Sequence, residues 1–201
     1  MKNSIFINKK IRSYNKKITV SSDKSISIRW ALIASQAIGK SKASNLLISE
    51  DVLSTLNCLK KLGIKMNLNK KKQTCEIFGN GINGFNYKKN ITLNANNSGT
   101  LARLICGLLV KAKNKIKIIG DKSLSRRDFS RVIQPLNKFG VNFYPRFKKN
   151  LPLSIQGTDF LRPIQFQEKK GSAQVKSLLI FAAMNTPGTT IIRAKKSRDH
   201  T

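Results

Sequence analysis

The chain repeats itself, and a repeated unit restricts the fold more tightly than composition does. Apolar periodicity predicts a helix over Ser25 to Ala37, a strand over Lys42 to Leu47, and a second helix over Asp51 to Leu62 that ends at Gly63. Strands follow at Ile64 to Leu68 and Thr74 to Phe78. The series then recurs. A helix starts near Ser98, a strand covers Lys115 to Ile119, and a helix from about Arg127 ends at Gly140. Strands follow at Val141 to Tyr144 and Leu153 to Ile155. Landmarks match between the copies. Val52, Leu56 and Leu59 stand in the i, i+4, i+7 relation of Val132, Leu136 and Phe139, the buried stripe of an amphipathic helix. Leu62-Gly63-Ile64 answers Phe139-Gly140-Val141, each glycine falling where a helix end needs a left-handed backbone. A third copy opens with a helix at Ser172, a Pro187-Gly188 turn and a strand over Thr189 to Arg193. Its second helix is expected after Ser197, so the third unit reads as truncated at Thr201.

With 40% hydrophobic residues among 201, the chain can bury a core. Cys58, Cys75 and Cys106 are an odd number, far apart and each among apolar neighbours. They read as buried free thiols of a reducing cytoplasm. One histidine, His200, gives no basis for a zinc site, and no apolar run is long enough to span a bilayer. The net charge of +30 raises nucleic acid as a partner. Its lysine pairs and triplets are scattered along the chain without regularly spaced aromatics, so a specific nucleic-acid platform is not expected. Small anionic substrates need only a few of these charges.

Two phosphate motifs fail on context. Gly79, Gly81 and Gly84 spell G-x-G-x-x-G, but the stretch Phe85 to Asn90 after them lacks helical periodicity. Gly39-Lys40-Ser41 lacks the glycine a P-loop needs five residues earlier, where Ala34 stands. Three other segments are more informative: Asp23 to Arg29, Asn96 to Arg103 and Gly171 to Ser177. Each places small hydroxyl or amide residues at the start of the first helix of a copy. Free backbone amides and the helix dipole favour an anion there. Equivalent helix starts on related units can point at a common centre, and Lys24, Arg29 and Arg103 would add charge-assisted hydrogen bonds.

Five segments together carry a resemblance. They are Asp23-Lys24-Ser25-Ile26-Ser27-x-Arg29, Asn97-Ser98-Gly99-Thr100-x-x-Arg103-Leu104 and Gly120-Asp121-x-Ser123-Leu124-Ser125-x-Arg127, then Ser172-Ala173-Gln174-Val175-Lys176-Ser177 and Ser197-Arg198-Asp199-His200-Thr201. In this order and spacing, the chain resembles the 5-enolpyruvylshikimate-3-phosphate synthase family (3-phosphoshikimate 1-carboxyvinyltransferases) from about residue 18 onward. The resemblance implies a mixed α/β (α+β) fold of two domains, each of three βαβαββ units. Residues 18–201 would form most of one domain, and residues 1–17 would cross to the other. It also implies an enzyme of the shikimate pathway. The enolpyruvyl group of phosphoenolpyruvate moves to the 5-hydroxyl of shikimate 3-phosphate, phosphate leaves, and no metal or organic cofactor takes part. The protein would be cytoplasmic, and a monomer at full length. The second domain would supply a carboxylate base and further cations, so this chain alone is expected to be inactive.

By matching position, the resemblance assigns Lys24 to phosphoenolpyruvate and proton movement, as a lysine ringed by cations, and Arg127 to clamping phosphoenolpyruvate. Asn97, Ser98 and Gly99 would form the phosphoenolpyruvate loop, with Gln174 close by. Lys24, Ser25, Arg29, Ser172, Ala173, Gln174 and Ser197 would hold shikimate 3-phosphate. The sequence departs from the family pattern at Ser21-Ser22 (usually Pro-Gly), Ile28 (often His), Asn96 (usually Gly) and Asp128 (usually Pro). Asp128 puts a carboxylate next to the clamping arginine. Rival readings are the sister transferase acting on UDP-N-acetylglucosamine and a non-catalytic basic protein that binds nucleic acid.

Overall fold

The computed structural model describes residues 13, 15, 18 and 20–194. The expected crossing segment 1–17 and Ser197 therefore lie outside the described residues, apart from positions 13 and 15. In chain order the elements begin with α1 (Lys24–Ala34), β1 (Ile38–Ala43), α2 (Glu50–Lys61), β2 (Lys65–Asn69) and β3 (Thr74–Asn80). The next group is β4 (Thr92–Asn94), α3 (Gly99–Leu108), β5 (Ile116–Ile119), α4 (Lys122–Ser125), α5 (Ser130–Lys138), β6 (Asn142–Tyr144) and β7 (Leu153–Gln156). The last is β8 (Gln165–Glu168), α6 (Ala173–Ala183) and β9 (Ile191–Ala194).

The repeat is real in topology. The first unit forms a sheet in the order β1-β3-β2, and the second in the order β4-β5-β7-β6. Reading β5, β6 and β7 as the partners of β1, β2 and β3, the two orders coincide, and every shared pairing is antiparallel. β4 and β5 run parallel with α3 as their crossover, and β8 and β9 run parallel with α6 as theirs. That is the geometry a helical crossover imposes on two strands of one sheet. The second unit is thus a complete βαβαββ, with the short α4 inserted before α5.

Both stripes of the outer helices are buried: Val52, Leu56 and Leu59 on α2, and Val132, Leu136 and Phe139 at α5. Each such side chain contributes roughly 1.5–3 kcal/mol by leaving water. Both helices end alike. Gly63 and Gly140 have φ of +85° and +100°. The Gly63 amide donates to Lys60 O and the Ile64 amide to Leu59 O, both at 3.0 Å. The Gly140 amide donates to Asn137 O (3.0 Å) and the Val141 amide to Leu136 O (3.1 Å). These paired bonds satisfy carbonyls that a helix end otherwise leaves open.

The inner helices are different. Arg103 is the one residue of α3 that is not buried. α3 packs on α6, with α1, α2 and α5 around it. At Gly107 a Cβ would lie 2.3 Å from Leu178 O, so the absence of a side chain lets the two backbones approach.

The structure shifts several predicted elements. The first strand is Ile38–Ala43, not Lys42 to Leu47, and the second outer helix begins at Ser130 rather than Arg127. Strand β8 and helix α4 have no counterpart in the sequence reading. The G-x-G-x-x-G segment is a turn, as its context required: Gly79 ends in β3, and no helix intervenes before β4.

Cys58, Cys75 and Cys106 are buried free thiols. Burial raises all three above the ordinary 9.0, Cys58 to about 11 and Cys106 to about 12. A raised thiol pKa favours the folded state at low pH only. Stability is full below pH 9 and falls as pH rises toward 11–12, because the unfolded chain ionises first. Urea midpoints measured between pH 8 and 11 check that decline. Replacing Gly140 by Ala should cost about 1–2 kcal/mol of backbone strain. Gly63→Ala should cost more, because its Cβ would lie 2.2 Å from Asn86 O. Urea unfolding of the two variants tests that order.

Candidate anion-binding site

Each inner helix opens the same way. Asp23, Ser98 and Ser172 are the N-caps of α1, α3 and α6. Their side chains accept from the amides of Ile26 (2.6 Å), Leu101 (3.3 Å) and Val175 (3.3 Å). The next amide is taken as well, since Ser27, Ala102 and Lys176 donate to the carbonyls of the three cap residues. The first two amides of each helix are left over. Those of Lys24 and Ser25, Gly99 and Thr100, and Ala173 and Gln174 have no acceptor among the described residues. Three pairs of open N–H groups at the positive ends of three helices are an anion site in kind.

The side chains fasten these ends together. Arg29 donates through Nε to Ser177 Oγ (3.0 Å) and through its terminal nitrogens to Ser25 O (3.2 Å) and Ala173 O (3.5 Å), tying α1 to α6. Arg103 donates to Gly99 O (3.2 Å) and Gln174 Oε1 (3.0 Å). Gln174 returns a bond from Nε2 to Thr100 Oγ1 at 3.0 Å, tying α3 to α6. Arg103 also lies over the Phe129 ring, 5.2 Å from its centroid. Burial lowers the pKa of Arg103 from its ordinary value, and nearby Arg127 and Arg131 lower it further. Burial also lowers that of Arg29, against the pull of Asp23. Cations that repel one another in a half-buried place gain most from an incoming anion.

Arg127 is exposed in the link between α4 and α5, and one of its terminal nitrogens lies 3.0 Å from where a Cβ on Gly99 would be. The loop before α3 is fixed to the same region. Asn97 donates to Asp121 at 2.6 Å, and the Asp121 amide donates to Asn96 O at 2.8 Å. The Leu124 amide and then the Asn97 side chain hold Asp121 below the usual carboxylate range. Asn96 takes φ +47°, the left-handed backbone that glycine would otherwise supply. Asp128 does not take Arg127 from a ligand. It accepts from the Ser130 amide at 2.6 Å, which starts α5, and Ser130 is the main cause of its lowered pKa. Lys149 and Arg131 supply further compensation.

Lys24 departs from the expected ring of cations. Its Nζ lies 3.2 Å from Asp51 of α2, with the lysine side chain half exposed. An anion at Lys24 would compete with that carboxylate.

The structure therefore brings Ser25, Arg29, Ser172, Ala173, Gln174, Ser98, Gly99 and Arg127 to one face, with Lys24 and Asn97 at its edge. Sequence reasoning missed Glu168. This carboxylate is 4% exposed and accepts from the amides of Lys170 (3.2 Å) and Ser172 (2.9 Å). It clasps the loop that delivers Ser172. Its only sequence signal is a lone acid before Lys169-Lys170-Gly171. Among the described residues, no cluster of three or more His, Cys, Asp or Glu side chains is placed to hold a metal.

Gly99 leaves the two arginines room. A Cβ there would lie 2.7 Å from a terminal nitrogen of Arg103 and 3.0 Å from one of Arg127. Gly99→Ala should push both guanidiniums aside and weaken binding of a small anion such as inorganic phosphate about tenfold, or ~1.4 kcal/mol. Isothermal titration of the variant against the parent chain measures that change.

A family model described as EPSP synthase (3-phosphoshikimate 1-carboxyvinyltransferase) matches residues 8–201. The chain is 39% identical over 195 residues to the 3-phosphoshikimate 1-carboxyvinyltransferase of Caldicellulosiruptor saccharolyticus, covering 94% of this chain and 43% of that protein. It is 39% identical over 186 residues to the Streptococcus pyogenes protein of the same name, covering 92% and 43%. A solved EPSP synthase from Acinetobacter baumannii superposes with a TM-score of 0.85 at 34% identity, covering 92% of this chain and 42% of that one. The chain thus spans less than half the length of these relatives.

Proposed function

This chain belongs to the EPSP synthase family, and from that premise we propose that its anion-binding face is part of a site for shikimate 3-phosphate and phosphoenolpyruvate. The observation that carries the reading is the set of six open amides at three joined helix starts. Arg29, Arg103 and Arg127 accompany them, and no described ion pair involves any of the three. Both ligands bear phosphate and carboxylate, which such a cage suits.

In this reading Ser25, Arg29, Ser172, the Ala173 amide and Gln174 hold shikimate 3-phosphate, with Ser197 as a further contact. Arg29 is anchored through Nε to Ser177 and through its terminal nitrogens to Ser25 O and Ala173 O, and each terminal nitrogen keeps one further N–H for a carboxylate. Asn97, Ser98, Gly99, Arg127 and Gln174 hold phosphoenolpyruvate. Ser98 acts by positioning: it is fully buried, its hydroxyl caps α3 and its amide donates to Ala95 O, which fixes the open amides of Gly99 and Thr100. Gln174 follows Ala173 on α6 and bonds Arg103 and Thr100 of α3, so it would register the two ligands against each other. Lys24 reaches phosphoenolpyruvate by leaving Asp51 and would serve proton movement there. The reaction of the whole protein is enolpyruvyl transfer to the 5-hydroxyl with release of phosphate. In this reading residues 18–201 would form most of one domain, and residues 1–17 would cross to a second.

No helix among the described residues is long and apolar enough to cross a membrane. Three buried free thiols support a reducing cytoplasm as the setting. The names of the matched relatives favour the shikimate substrate over UDP-N-acetylglucosamine.

Amide NMR of the chain titrated with shikimate 3-phosphate is the test. Saturable shifts should appear at Ser25, Arg29 and Ser172 to Gln174, and a Ser172→Ala, Gln174→Ala double variant should lose them. A variant that binds as well as the parent, or binding that falls steeply with salt and ignores these residues, would remove the reading in favour of nonspecific polyanion attraction.

A further inference from the structure

The anion-binding face uses few of the chain's 39 lysine and arginine side chains, and most of the net charge of +30 has no part in it. The sheet β1-β3-β2 gathers several lysines on one surface. Its inner face carries the buried Cys75 and Ile77 of β3, the strand against which α1 packs. Alternation puts Thr74, Glu76, Phe78 and Asn80 on the outer face.

Cross-strand register decides what stands beside them. Lys40 and Lys65 lie directly opposite Phe78, one on each side, and Lys42 and Asn67 flank Glu76 in the same way. Residues paired like this share a face and lie within reach of each other. A phenylalanine ring, 37% exposed, is thus set between two lysines. The arrangement is hidden in the sequence, because its three members come from three strands.

Two shallow depressions follow one another along this face and the β2 edge. Phe78, Lys60, Lys65 and Asn67 help to line one, and Lys42, Asn67 and Glu76 the other. The turn at the end of the β2–β3 hairpin adds Lys70, Lys71 and Lys72, all exposed. Glu76 is the one acid on the three strands, and Lys40 holds it at 3.5 Å. No described ion pair involves Lys42 or Lys65.

We propose that the outer face of β1-β3-β2 binds single-stranded nucleic acid, at a place separate from the helix starts. An unpaired base stacks on Phe78, Lys65 and Lys42 take neighbouring phosphates, and the lysines of the turn extend the track. Asn67 offers an amide donor and acceptor to a base edge. The contact tolerates any sequence, since every base has a π-face, but a duplex keeps those faces stacked inside.

Fluorescence anisotropy of a labelled oligothymidylate tests this. Inorganic phosphate is present in excess, at fixed total ionic strength, to occupy the helix starts. Phe78→Ala should weaken binding about tenfold, and Phe78→Tyr, which keeps a ring, should bind like the parent. The double variant Lys42→Ala, Lys65→Ala should reduce the slope of log affinity against log salt by about 1.4, the share of two phosphate contacts on a single strand. The control Lys111→Ala, Lys113→Ala, outside this face, should leave affinity and slope unchanged. Circular dichroism checks that every variant keeps the parent's secondary structure. Affinity that ignores Phe78, or a control pair that matters as much as Lys42 and Lys65, overturns the proposal in favour of diffuse polyanion attraction. A duplex of equal length that competes as well as the single strand overturns it too.

Discussion

The structure depends on the burial of α3. A helix hidden on nearly every side fixes the spacing of the helices around it, since interiors are packed too densely to slide. Gly107 sets how close α6 can come, and Arg103, the one part of α3 left open, emerges where α3 and α6 begin. Register between the two helices is therefore set twice: by apolar contact along their length, and by the Arg103–Gln174–Thr100 bonds at their starts. The end that carries the candidate site inherits its precision from the core.

That end is built mostly from backbone. Side chains at the caps satisfy the third amide of each helix and leave the first two, so the open donors belong to the main chain and cannot swing away. Around them, carboxylates are kept occupied. Asp121 is bonded to Asn97 and the Leu124 amide, Asp128 to Ser130, and Glu168 to two amides of its own loop. Acids near an anion site would repel the ligand. Here each is committed to holding a loop in place.

The helices and their ends were legible because period 3.6 and a glycine just past the last turn are local signals. The first strand was misread for a physical reason. Ile38–Ala43 is an exposed edge strand without alternating burial, whereas Leu46 and Leu47 draw attention as an apolar pair. They belong instead to the loop between β1 and α2, where the Leu46 amide donates to Gln73 O at the β2–β3 tip and the Leu47 amide to Ser27 Oγ on α1. Strand β8, Gln165–Glu168, has one apolar residue, Phe166, among three polar ones, too little to give a pattern to read. The caps of the candidate site were visible as small polar residues before helices. The contacts that assemble it were not, since Arg29 meets Ser177 across 148 residues and Arg103 meets Gln174 across 71. The partnership of Lys24 with Asp51 was likewise invisible, because it joins two helices of one unit through space.

The inner helices start side by side. Thr100 meets Gln174, and farther along Gly107 meets Leu178 and Phe181, so α3 and α6 run parallel; Ser25 and Arg29 place the start of α1 beside them. Parallel neighbours align their dipoles, and positive ends held together repel. The folded chain thus keeps an unspent field on one face, which solution anions are drawn to neutralise. Any small oxyanion in the medium, whether or not it is a ligand of biological interest, becomes linked to folding by mass action. For this protein the choice of buffer salt is a structural variable.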